Sequence, residues 1–262
     1  REIAAFRRGG MLPWTRGYGA YKSAAIIDAL ASTINLENLP AGYGFRLDDR
    51  IIEFPWVIAH IPVGPGRLLD AGSTLNQEFA VCHPRLSEKK VWITTLAPEH
   101  NNFVNRGVSY SFEDIRDLSF KSGFFDVVTC VSTIEHVGLD NVRMYSELVA
   151  KTETAIGGFI EAIGELRRVL SPGGVLLITM PYGKRSNFGW FQVFDASMLR
   201  ELVDTFVPSR QDQWFFKYEP DGWRNARKDE LEDATYFDIN CRSDYDEDFA
   251  AASRGLAALR LV

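Results

Sequence analysis

The 262-residue sequence is short of cysteine and of long apolar runs, and each shortage narrows its class. Cys82, Cys130 and Cys241 are odd in number and lack CxxC spacing. That fits neither a disulfide scaffold nor a thiolate metal site, and it points to a reducing compartment. No apolar run reaches membrane-spanning length and no signal-peptide pattern opens the sequence. A cytoplasmic setting with no membrane partner is therefore expected. Lysine and arginine form no block, the formal net charge is -6 and the pI is about 5.4. Nucleic acid is accordingly not expected as a partner. There is no HExxH, no P-loop and no Ser-His-Asp elbow, and nothing demands a metal; none is assigned.

What is present favours one large α/β unit. Hydrophobic residues make up 46% and aromatics 13% of the chain, ample for a sizeable core. The chain is organised around residues 67–76, RLLDAGSTLN. An apolar run ends in an acid, turns on a glycine and passes to polar residues that open a short helix. In a parallel α/β sheet that is a strand's carboxyl end meeting a helix amino end, where free N–H groups seat the polar part of a nucleotide-like ligand. The glycine-rich fingerprint wants three glycines, however, and Thr74 and Asn76 stand at the second and third places.

Strand and helix signals then alternate. Residues 90–95 and 124–131 read as strands, and the latter (FFDVVTCV) is continuously apolar, as a strand covered on both faces would be. Residues 156–170 keep helical spacing and are stopped by SPGG, with a glycine suited to a left-handed cap. Residues 175–180 (VLLITM) form another buried strand. Asp195 caps a helix through Phe206, residues 214–218 read as a strand, and residues 255–262 supply a last one. Residues 41–66 read as irregular with a strand at 51–54, and residues 224–233 as a solvated loop or short helix. A helix after Pro98 is a weak expectation. At the amino end, Trp14, Arg16, Tyr18 and Tyr21 precede a helix and predict either packing or a lid, with Tyr21 or Arg16 near a carboxylate. The alternation predicts a doubly wound, mostly parallel sheet with an N-terminal helical arm.

LLDAG, DIRDLSFKSGFFDVV and ELRRVLSPGGVLLITMP follow one another over about residues 67–181. Their order resembles the class I S-adenosylmethionine-dependent methyltransferases. STIEHVGLDN, PYGKRSNFGWFQVFD and the late KYEPDGW and DATYFD resemble bacterial methyltransferase-like proteins associated with surface-glycan or secondary-metabolite genes. The resemblance implies a Rossmann-like domain over residues 1–262, with an arm at 1–40, a cofactor-binding core at 67–181 and substrate-side loops and strands at 182–262. It implies S-adenosyl-L-methionine as cofactor, met by Asp70, Gly72 and Ser73 at its methionine end. Thr95 stands where an acid usually grips the ribose, while Asp117 and Leu118 fall at the adenine. Ser132 and Tyr21 complete the expected cofactor contacts.

Ser132 and the Glu135–His136 pair follow a buried strand at its ligand edge. His136 is the candidate base for a hydroxyl acceptor, or else a structural or orienting residue, and Glu135 is placed to orient it. Tyr182, Trp190 and Gln192 form the expected acceptor surface. O-methylation of a sugar or glycan-like small molecule is the leading expectation. The alternatives are a catalytically silent methyltransferase-like domain that binds a ligand or partner, and a nicotinamide-dependent dehydrogenase. The PGG block and the missing ribose acid count against the last.

Overall fold

The structure, a computed structural model, describes residues 1–32, 34–142, 144–145 and 152–262. Among the described residues six α-helices are formed: α1 (Glu2–Arg8), α2 (Tyr18–Ser32), α3 (Arg50–His60), α4 (Glu78–Val81), α5 (Gly158–Val169) and α6 (Ala196–Phe206). The strands are β1 (Gly66–Ala71), β2 (Lys89–Thr95), β3 (Ser109–Phe112), β4 (Phe125–Val131), β5 (Leu170–Pro181), β6 (Ser186–Asn187), β7 (Gln192–Val193), β8 (Gln211–Glu219), β9 (Gly222–Ala226) and β10 (Gly255–Leu261). Eight of them form one sheet in the order β3-β2-β1-β4-β5-β10-β8-β9. The first five run parallel, and β10 lies antiparallel between β5 and β8.

Continuous apolarity in the central strands has the expected cause. Leu68 and Val127 face one hydrophobic core with α2 and α3, while their neighbours Leu69 and Val128 face a second core with α5 and α6. A parallel strand covered by helices on both faces has no solvent side, so no alternation is written into it. The sheet is the doubly wound, mostly parallel Rossmann-like arrangement that the sequence predicts. Asp195 caps α6 as expected, accepting from the Ser197 and Met198 amides.

Several local expectations need correction. Residues 51–54 are not a strand but part of α3. Ile51, Ile52, Phe54, Trp56, Val57 and Ile58 are all buried, so the helix has no polar stripe to show a helical period. Pro55 adds a false signal for a break. Lacking an N–H, it cannot serve the Ile51 carbonyl one turn earlier. The Tyr43 hydroxyl donates to that carbonyl at 2.7 Å in its place.

The helix ahead of SPGG ends at Val169. Gly173 takes its positive φ of 76° at the entrance to β5 rather than as a helix cap. After Pro98 only a 3₁₀ turn forms, at Val104–Arg106, and the supposed loop from Arg224 begins inside β9.

Tyr43→Phe is expected to destabilise the fold by about 1–3 kcal/mol, because the buried Ile51 carbonyl loses its donor. Urea unfolding should show a lower midpoint. In a Pro55→Ala background the loss should shrink, since residue 55 regains an amide. An equal loss in both backgrounds would show that Tyr43 does not serve this carbonyl.

Candidate active site

The turn after β1 is built by its side chains as much as by glycine. Asp70 is fully buried and accepts from the Leu75 amide at 2.7 Å and the Thr129 hydroxyl at 2.8 Å. Burial pushes its carboxyl up to about 7. Asp70 therefore braces the turn from behind. Gly72 holds φ at 107°, and a Cβ there would overlap the Thr133 side chain, so glycine is required.

The missing glycines are replaced by bonded side chains. Thr74 donates to the Val131 carbonyl at 2.7 Å. Asn76 donates to Glu99 and the Asn101 carbonyl, and accepts from the Tyr110 hydroxyl. Glu99 also accepts from Ser73 and, at 3.5 Å, from Thr95. The turn is thus stitched to the loop after β2.

Two cavities of about 240 Å³ each open at the carboxyl edge of the parallel strands. The first is lined by Gly72, Thr74, Thr95 and the Glu113–Arg116 segment, among others. Within its wall the Thr94 hydroxyl and Glu113 Oε1 are buried without a hydrogen-bond partner among the described residues.

The acid of this loop that lines the cavity is Asp114, three residues before the expected Asp117. Asp114 and Ile115 line this cavity, whereas Asp117 is exposed and lies outside it. Leu118 is displaced for a second reason: its amide already donates to the Glu165 carboxylate at 2.8 Å. This placement follows from β3 ending at Phe112, after which the chain turns into the cavity. Arg116 binds Asp114 and Glu153 and fixes that turn.

The second cavity adjoins the first through Arg50, Ser132 and His136. Its other walls include Trp14, Lys22, Asp48, Asp49, Trp190 and Tyr236. Beneath it lies Glu53, fully buried and completely engaged. It accepts from Ser132 and Thr179 at 2.5 Å each and pairs with Arg50 at 2.9 Å. These contacts pin the amino end of α3 to the ends of β4 and β5. Ser132 itself adopts a positive φ of 39°.

His136 is set by one hydrogen bond. Its Nδ1 lies 2.8 Å from the Trp190 carbonyl, which can only accept, so Nδ1 carries the proton and Nε2 keeps its lone pair. Burial lowers its pKa to about 4, and the ring is neutral near pH 7. Nε2 stands 3.9 Å from Glu135, whose carboxyl burial pushes well above the usual range.

Four further candidates are engaged within the fold. Tyr21 packs on the Phe6 ring and lines neither cavity; Trp14 and Lys22 of the arm take that place. Arg16 pairs with Glu2 rather than with a ligand-side acid. Tyr182 is buried against Phe215. Gln192 is buried and donates to the Ile156 carbonyl, so its amide is spent on the fold. Trp190 does line the second cavity.

The sequence reading missed Asp48, Asp49, Arg50 and Glu53. The available signal was the acid-acid-arginine run beside an apolar segment with one interior glutamate. Titration of His136 by NMR is expected to show an Nδ1–H tautomer and a midpoint near 4. A midpoint near the ordinary value of about 6.5 would show an open ring.

No protein-family model and no curated protein matches the chain. Solved structures do. The [4+2]-cyclase SpnF is similar at 16% identity and TM-score 0.47, covering 73% of this chain and 71% of that one. A Burkholderia thailandensis 1,6-didemethyltoxoflavin-N1-methyltransferase, solved with its substrate and S-adenosylhomocysteine, is similar at 12% identity and TM-score 0.45, covering 76% and 71%. The CurJ carbon methyltransferase is similar at 11% identity and TM-score 0.48, covering 82% and 54%. Likeness this distant speaks to chain path alone, and function has to be argued from the site itself. The strand order itself is that of a Rossmann-like, mostly parallel sheet, with the reversed strand β10 between β5 and β8.

Proposed function

We propose that the protein is an S-adenosylmethionine-dependent methyltransferase acting on a small molecule, with a hydroxyl of a sugar or glycan-like acceptor as the receiving group. The observation that supports this most is the meeting of two cavities at His136, Ser132 and Arg50. One has the walls of a nucleoside site; the other is bordered by the arm and the late loops.

The first cavity fits the cofactor on its donor set. The unpartnered Thr94 hydroxyl and Glu113 oxygen call for hydrogen-bonding groups on a ligand. Gly72 would meet the methionine end. Thr95, backed by Glu99, would serve the ribose, and Asp114 with Ile115 the adenine. When bound, S-adenosylmethionine supplies a methyl carbon on a sulfonium sulfur, open to in-line displacement. The residues of this chain then have to align the acceptor and take its proton. His136 is suited to the second task, because its Nδ1 proton is fixed by the Trp190 carbonyl and Nε2 remains an acceptor. The low pKa makes it a weak base that is always in the correct form near neutrality.

Calorimetry tests the cofactor reading: S-adenosylhomocysteine should bind and NAD should not. Asp114→Ala is expected to weaken S-adenosylhomocysteine binding by roughly 10- to 100-fold, the cost of a lost charge-assisted hydrogen bond. Asp117→Ala should bind as the wild type does. The reverse pattern would restore Asp117 to the site. Binding without turnover of any acceptor would favour the silent-domain reading instead.

The base reading has its own test on an accepted substrate. Only the neutral ring takes a proton, so activity depending on His136 should fall as pH drops through about 4. It should be flat between about pH 5.5 and 8. His136→Asn should slow transfer by about 10²–10⁴-fold with little change in cofactor affinity. Near-normal turnover in that variant would make His136 structural.

A further inference from the structure

The second cavity, with Glu53 beside it, holds more carboxyl groups than cations. Lys22 pairs with Asp48 at 2.6 Å, and Arg50 pairs with Glu53 at 2.9 Å. Two carboxylates on the wall are left over. Asp49 is 9% exposed, makes no capping bond to α3 and joins no ion pair among the described residues. Glu135 is 3% exposed, and its Oε2 has no hydrogen-bond partner among them.

Buried carboxylates normally end in an ion pair or a full set of donors, because desolvating an unmatched charge costs far more than a neutral hydrogen bond returns. Burial, with repulsion from Glu53, pushes both carboxyls up even with Arg50 nearby, so each favours its neutral form until a further cation sits beside it. The rest of the wall suits such a partner. Trp14, Trp190, Phe191 and Tyr236 border the cavity, and aromatic faces attract a cation. His136, neutral at its junction with the cofactor-side cavity, adds no repulsion.

We propose that the acceptor is a cationic small molecule whose protonated amine is held by Asp49 and Glu135 within the aromatic wall, an amino sugar being the simplest chemistry that fits. Naming this ligand as the acceptor rests on the methyltransferase reading; the cation site itself does not. A neutral sugar would bond to the same oxygens but would leave their charge unmatched. The amine is an anchor, and the hydroxyl that accepts the methyl group lies toward His136.

The test compares probes that differ by one ammonium group. The 262-residue protein is titrated at neutral pH with glucosamine and with glucose, and with ethanolamine and with ethylene glycol, and binding is followed by NMR. S-adenosylhomocysteine binding is measured on the same samples. At least one amine is expected to bind tenfold or more tightly than its neutral partner, with the preference lost in Asp49→Asn and in Glu135→Gln. Equal binding in both pairs, preference for the neutral members, or no binding at all would overturn the proposal. So would a preference that survives both substitutions. If a variant fails to fold, the wild-type comparison decides alone. Failure here with S-adenosylhomocysteine still bound leaves the methyltransferase reading standing. Loss of S-adenosylhomocysteine binding with the amine preference intact does the opposite.

Discussion

Glu53 is the constraint on which the site depends. A fully buried carboxylate is tolerable only when its lone pairs are taken, and here three partners from three elements take them. Arg50 lies on its own helix, Ser132 follows β4 and Thr179 is in β5. The pairing fixes where α3 begins, and with it the wall bearing Asp48 and Asp49. It also holds Ser132 in a positive-φ conformation that a serine would not choose in isolation. Removing one partner would strand the charge on another, so the arrangement is all-or-none in character.

From that knot the two cavities take their separate chemistries. The first is lined by the loops that follow parallel strands, where backbone amides and short polar side chains converge. The second gathers residues far apart in sequence, from Trp14 to Ala252. Tyr18 and Lys22 reach Asp48 from α2, while Trp14 donates its indole N–H to the Ala251 carbonyl. The amino-terminal segment is therefore part of the second cavity's wall, held by polar bonds as well as by packing on Phe6.

The differences between expected and observed side-chain placements share one cause. Asp117 and Asp114 are both acids in the same loop, and only the end of β3 at Phe112 decides which one enters the cavity. Tyr182 follows β5 and Gln192 opens β7, yet both side chains turn into the interior and are spent there. A polar residue near a ligand edge has two possible destinations, and neighbours distant in sequence choose between them. His136 shows the same effect in its protonation: the residue type suggests titration near neutrality, and enclosure moves it to about 4.

The sequence by itself determined the central strands of the sheet, though not its edge strands β3 and β9. Continuous apolar runs such as FFDVVTCV require cover on both faces, the Asp195 cap starts α6, and helical spacing fixes α5. It also determined that Gly72 and the Glu135–His136 pair lie at the ligand edge, because the carboxyl ends of β1 and β4 are written in those runs. What tertiary structure alone decided is α3 and everything hung from it. A helix buried on every side has no periodicity to read, and its proline is tolerated only because Tyr43 arrives from outside the helix to serve Ile51. The charge cluster around Glu53 and Asp49 follows that helix into the interior, where long-range partners and not local pattern settle which carboxylates are matched.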